Sequence, residues 1–238
     1  MKLTILGKYG PYPNKVNGKT SGYLLQSNNS NVILDLGCGT LSNLVKLIDV
    51  KDVNFIILSH LHFDHVSDMG VLSYALSFAG KKDKVNVYLP FDNSPIYSLL
   101  KSISCFNLIN VEENKEYVDS GLRFEFYKMQ HPVTSFGVKI KGDNVFAYTG
   151  DTTFNCNLKN LVNGADLVLA DGAFLQKDFN TSKPHMSVLE ACGLTNYFDG
   201  KVIVTHINPN YKDSDVLKEI LSVTNRAEVA IEEKTYIF

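Results

Sequence analysis

Phe55-Ile56-Ile57-Leu58-Ser59-His60-Leu61-His62-Phe63-Asp64-His65-Val66 decides how this chain is read. Its first four residues form an apolar run too continuous to leave one face in water. A strand over Val53–Leu58, in a sheet covered on both sides by helices, is therefore expected. A cluster of ligand-type side chains follows at once. The chain has only six histidines, and three of them fall between His60 and His65. Packing alone rarely asks for four such side chains in one turn. Neutral imidazole and carboxylate are the N and O donors that a borderline cation such as zinc takes. Apolar periodicity resumes as a helix over Val66–Phe78, so the cluster sits on a strand-to-helix loop, where open sheets of this kind place their ligands.

Working outward, three more strands end in metal-capable side chains. Leu122–Met129 runs into Gln130-His131, Asn144–Thr149 into Gly150-Asp151, and Val202–Thr205 into His206. Together they suggest convergence on one rim. Strands are also expected at Lys2–Leu6, Gly22–Gln26, Asn31–Asp35, Val85–Leu89, Ser135–Ile140, Leu167–Ala170 and Thr235–Phe238. Helices are expected at Leu41–Ile48, Pro95–Ser102, Leu158–Val162, Val188–Tyr197 and Ser214–Val223. Ser187 and Glu190 have the spacing of a capping box. Lys8–Ser21, rich in Gly, Pro, Asn and Lys, reads as a mobile loop. Asp92–Glu116 carries no clear pattern. Tyr74 and Phe78, four apart on one helix, read as core packing.

A length of 238 residues with 45% hydrophobic content suits one large domain, residues 1–238, or two intimately packed halves. The net charge of -2 advertises no long nucleic acid and favours a small or locally steered substrate. No run approaches the roughly 20 apolar residues that span a bilayer, and Met1–Gly7 is too short for a signal peptide. A soluble, cytoplasmic protein is expected. The four cysteines are widely spaced and read as reduced, mostly buried thiols.

The run His60-x-His62-x-Asp64-His65, with His131, Asp151, His206 and the early Asp35 in order, resembles the motifs of the metallo-β-lactamase superfamily over essentially the whole chain. The resemblance implies a four-layer αββα sandwich of two similar halves, with a binuclear metal site at one edge. It implies that His60, His62 and His131 hold one metal, that Asp64, His65 and His206 hold the other, and that Asp151 bridges them. Asp35 would support the site from behind the ligands. Two divalent ions are implied, zinc first, with manganese or iron as alternatives. Some lactamase branches carry Cys where Asp151 stands, which argues against an antibiotic hydrolase.

Two cations a few ångströms apart lower the pKa of a bound water from about 15.7 toward ~7 and clamp the substrate, which is hydrolytic chemistry. Asp64 could also accept a proton from the attacking water. His185, in Lys183-Pro184-His185-Met186-Ser187, resembles the proton-donating histidine of the ribonuclease Z-like branch, and Asp171 is then its orienting acid. Gly7, Ser21-Gly22-Tyr23 and Asp35-Leu36-Gly37-Cys38-Gly39-Thr40 are similar to the opening of that branch. His131-Pro132-Val133-Thr134-Ser135 is similar to a small bacterial subgroup of it. A histidine held by a carboxylate suits a poor alkoxide leaving group. The expected function is a phosphodiesterase on cyclic nucleotides or short RNA. The alternatives are a tRNA 3′-processing endonuclease and a lactonase or thioesterase on the same site. A long Gly/Pro-rich RNA-gripping arm has no room between His131 and Asp151 or between Asp151 and His185. A non-catalytic binding module is disfavoured because every ligand is present. Relatives of this type imply a homodimer.

Overall fold

Strands too apolar to face water form the middle of two seven-stranded sheets. The computed structural model describes residues 1–27 and 29–238. The first half contains β1 (Lys2–Gly7), β2 (Gly22–Ser27), β3 (Ser30–Leu36), α1 (Thr40–Leu44), β4 (Phe55–Ile57), α2 (Phe63–Val66), α3 (Met69–Phe78), β5 (Val85–Leu89), α4 (Pro95–Ser102) and β6 (Phe106–Asn110). The second contains β7 (Glu116–Asp119), β8 (Leu122–Met129), β9 (Ser135–Lys141), β10 (Val145–Tyr148), α5 (Asn157–Val162), β11 (Leu167–Asp171), α6 (Val188–Gly193), β12 (Lys201–Thr205), α7 (Asp213–Leu221) and β13 (Ala227–Val229). β14 (Thr235–Ile237) returns to pair with β1.

The strand orders are β14-β1-β2-β3-β4-β5-β6 and β13-β12-β11-β10-β9-β8-β7. In each sheet antiparallel pairs give way to parallel ones, at β3–β4 in the first and β10–β11 in the second. The inner faces share one core. Phe55 of β4 stacks on Phe124 of β8, with centroids 5.2 Å apart. A second core lies between the first sheet and α1, α3 and α4. A third lies between the second sheet and α5, α6 and α7. This is the expected αββα sandwich. Ser187 caps α6 with a complete capping box, its backbone N–H donating to Glu190 Oε2 at 2.9 Å.

Four expectations need correction. The helix expected over Val66–Phe78 is broken into α2 and α3, because α2 begins inside the ligand cluster and ends by Ser67. Tyr74 and Phe78 are 70% and 92% exposed and pack in no core; Leu72 and Leu76 bury the other face of α3. Only Cys192 is buried, while Cys38 and Cys156 are exposed, and all four thiols are free. The Lys8–Ser21 segment is tied down at both ends. Lys8 N–H and Tyr9 N–H donate to Lys19 O, and Gly10 N–H donates to Ile207 O at 3.2 Å. Lys8 Nζ also reaches Asp213 at 2.6 Å.

Candidate metal centre

Asp35, His60, His131, Asp151, Asp171 and His206 all stand at or just past the carboxyl ends of their strands, and the two sheets turn these ends to one edge. The backbone is bent to do it. Asp35 and His206 have φ of 51° and 56°, a left-handed conformation that non-glycine residues seldom adopt. Gly150, φ 58°, turns the chain into Asp151, and a Cβ there would press on Ser59.

The structure brings all seven expected ligands together. His60 Nε2 lies 2.9 Å from His62 Nδ1, and His131 Nε2 lies 3.2 Å from the same atom. His206 Nε2 is 3.2 Å from Asp64 Oδ2, and His65 Nε2 is 3.6 Å from it. Asp151 Oδ2 stands between the two groups. It is 3.2 Å from His206, 3.3 Å from His65, 3.6 Å from His60 and 4.0 Å from His131. Two atoms each about 2.0–2.1 Å from a zinc ion at the tetrahedral angle lie roughly 3.3 Å apart, so these separations fit cations. The hydrogen bonding fits too. Both Asp151 oxygens and His65 Nε2 are buried without a hydrogen-bond partner, a costly arrangement unless something charged binds them.

The other ring nitrogens are directed by fixed partners. Asp35 accepts from His65 Nδ1 at 2.7 Å, Ser59 N–H at 2.7 Å, Ser59 Oγ at 2.8 Å and Tyr148 OH at 2.6 Å. Since the Ser59 hydroxyl gives its proton to Asp35, it must accept from His60 Nδ1, 3.0 Å away. His131 Nδ1 donates to Pro184 O at 3.1 Å. Each bond leaves Nε2 as a lone-pair donor facing the centre. Burial and the neighbouring imidazoles hold His60 well below the usual histidine range, the neutral state that a ligand needs. Burial alone would raise the Asp151 carboxyl, but His206, His65 and His60 overturn this and hold it well below the usual carboxylate range. Asp64 is lowered in the same way, His65 and His206 opposing its burial.

His185 joins the same edge. Its Nδ1 is 2.9 Å from Asp171 Oδ2 and 3.7 Å from Asp151 Oδ2, and its ring stacks on His206 at 4.7 Å. Asp171 is fixed by Thr152 N–H and Ala173 N–H. Against burial, the charges of Asp171 and Asp151 raise His185 to about 9.

The family model for the anti-Pycsar protein Apyc1 matches residues 1–230. The chain belongs to the Apyc1 family. This Apyc1-family chain is 29% identical to the probable metallo-hydrolase YhfI of Bacillus subtilis, over 100% of its own length and 99% of the relative's. The crystal structure of YhfI, a metallo-β-lactamase fold protein, superposes with a TM-score of 0.89 over 99% of this chain and 98% of that one. Ribonuclease Z of Methanosarcina acetivorans is 23% identical over 97% of this chain and 95% of its own. The short form of human tRNase Z shares the fold, with a TM-score of 0.80, 17% identity, and coverage of 100% and 99%. The metallo-β-lactamase fold and the hydrolase class read from the sequence agree with these relatives.

Sequence reasoning missed three residues of this Apyc1-family site. Tyr148 acts through its hydrogen bond to Asp35, and Ser59 through its bonds to Asp35 and His60 Nδ1. Gly10 packs so tightly on His206 that a Cβ would come within 2.0 Å of Nε2. The Gly10-Pro11 pair was a weak signal for a close approach of this kind; nothing singled out Tyr148.

Proposed function

We propose that the protein is a two-metal phosphodiesterase acting on cyclic nucleotides or short RNA. The hydrogen-bonded His185–Asp171 pair beside the seven-ligand centre carries this reading. His60, His62, His131 and Asp151 would hold one ion; Asp64, His65, His206 and Asp151 would hold the other. The donor set suits zinc and also accepts manganese or iron. Bound there, two divalent ions would acidify a water and neutralise phosphate charge.

The side chains do the rest. Asp64 turns Oδ2 to His65 and His206 and keeps Oδ1 to accept a proton from the attacking water. Asp171 orients His185 through Nδ1, which leaves Nε2–H to protonate the departing oxygen. An alkoxide leaves poorly, so that proton matters far more for a phosphodiester than for an activated acyl ester.

The ribonuclease Z relatives favour a second reading, tRNA 3′-processing. Between His131 and Asp151 the chain has room only for β9 and β10, which supports the smaller substrate. A lactonase or thioesterase would use the same ions without needing His185. The proposal includes one domain of two halves over residues 1–238, acting as a homodimer in the cytoplasm. Four free thiols suit a reducing compartment, and among the described residues no helix is long and apolar enough to cross a membrane.

The test is an activity panel on metal-loaded protein, spanning bis(p-nitrophenyl) phosphate, cyclic nucleotides, pre-tRNA, acyl lactones and thioesters. Turnover of diesters that falls about a hundredfold or more in His185→Ala is expected. Turnover of acyl substrates alone, unaffected by His185→Ala, would sink the reading.

A further inference from the structure

We propose that Lys183 selects for anionic substrates at this centre, drawing in phosphodiesters and leaving neutral esters and lactones without an advantage. The inference rests on the phosphodiesterase reading for its substrate but not for its charge preference.

Lys183 stands two residues before His185 on a segment that the centre itself holds. The intervening Pro184 carbonyl accepts from His131 Nδ1 at 3.1 Å, and Lys183 N–H donates to Asn180 O at 3.0 Å. The ammonium group is placed by an aromatic face. Lys183 Nζ lies 5.1 Å from the centroid of Phe174, a cation–π distance. Phe174 in turn lies 6.1 Å from the His185 ring. Its own position is set by the backbone, since Val188 N–H donates to Phe174 O at 2.8 Å and Phe174 bridges to Ser187.

The charge is not cancelled locally. Lys183 makes no ion pair among the described residues. Asp171, the carboxylate paired with His185, is also held by the Thr152 and Ala173 amides. Lys183 is itself partly exposed. A fixed, unpaired positive charge at the mouth of a site attracts anions and does nothing for neutral molecules, and salt screens the effect.

The experiment compares wild type, Lys183→Ala and Lys183→Arg as full-length, metal-loaded proteins, with metal content checked in each. KM and kcat are measured for bis(p-nitrophenyl) phosphate and for neutral p-nitrophenyl acetate. The inhibition constant of inorganic phosphate is measured against whichever ester is turned over. Lys183→Ala should raise the diester KM and the phosphate inhibition constant about five- to tenfold at low salt. The fall in kcat should be much smaller and the acetate KM should not follow. Lys183→Arg should restore the wild-type values, and added salt should shrink the difference. An equal phosphate inhibition constant in wild type and Lys183→Ala overturns the proposal. If only the acetate is hydrolysed while phosphate binding still shifts, the phosphodiesterase reading falls and the role of Lys183 stands.

Discussion

Asp171 accepts hydrogen bonds from two backbone amides and from His185, so it cannot turn away from the imidazole. Its charge, with that of Asp151, outweighs burial and raises His185 to about 9. The proton donor is therefore present below that pKa and is lost as pH rises through it. Bound cations act in the opposite sense, so the alkaline fall in kcat should come at or below about 9. Asp171→Asn should move that fall to lower pH and reduce kcat about tenfold or more, measured as a pH profile of diester hydrolysis. At this scale the sequence was informative wherever a ligand-type residue follows an apolar strand, as His60, His131, Asp151 and His206 do. It was silent on Ser59 and Tyr148 and gave only a weak signal at Gly10. Their contribution exists only after folding, as a hydroxyl bridging Asp35 and His60, a hydroxyl on Asp35, or a missing Cβ against His206.

Elements with a clear apolar pattern or a start signal were legible. β5, β8 and α4 have the expected boundaries. β6, β7 and β13 were not anticipated, and each lies at the edge of a sheet. An edge strand packs on fewer neighbours, so polar residues such as Asn107, Glu116 and Glu228 enter and blur the alternation. α3 misled for the opposite reason. It is apolar on both faces, and the outer one carries Val71, Tyr74 and Phe78 at 57%, 70% and 92% exposure. An exposed apolar stripe of that kind is where the proposed homodimer would meet its partner copy. Tyr74→Lys with Phe78→Lys should yield a monomer in analytical ultracentrifugation while the wild type sediments as a dimer. A wild type that sediments as a monomer at all concentrations would refute the dimer.

The molecule as a whole gathers its site from both sheets. The first contributes Asp35 and His60 through His65; the second contributes His131, Asp151, Asp171 and His206. Ions held there would tie the sheets together, and without them Asp151 keeps two buried, unpartnered oxygens. Chelation should therefore lower the melting temperature. An ion present at a thousand times its Kd adds about 4 kcal/mol, or about 10 °C for a chain of this size. Readdition of zinc in differential scanning calorimetry should reverse the loss. An unchanged melting temperature after metal removal, confirmed by elemental analysis, would contradict the assignment. The placement of Asp151 Oδ2 within 4.0 Å of the ring nitrogens of His60, His65, His131 and His206 has a consequence for that titration. A single oxygen answers to both positions. The first ion to arrive would freeze it in the orientation that its neighbour requires, so the two should load as a pair, and the singly occupied protein should be a scarce, short-lived species.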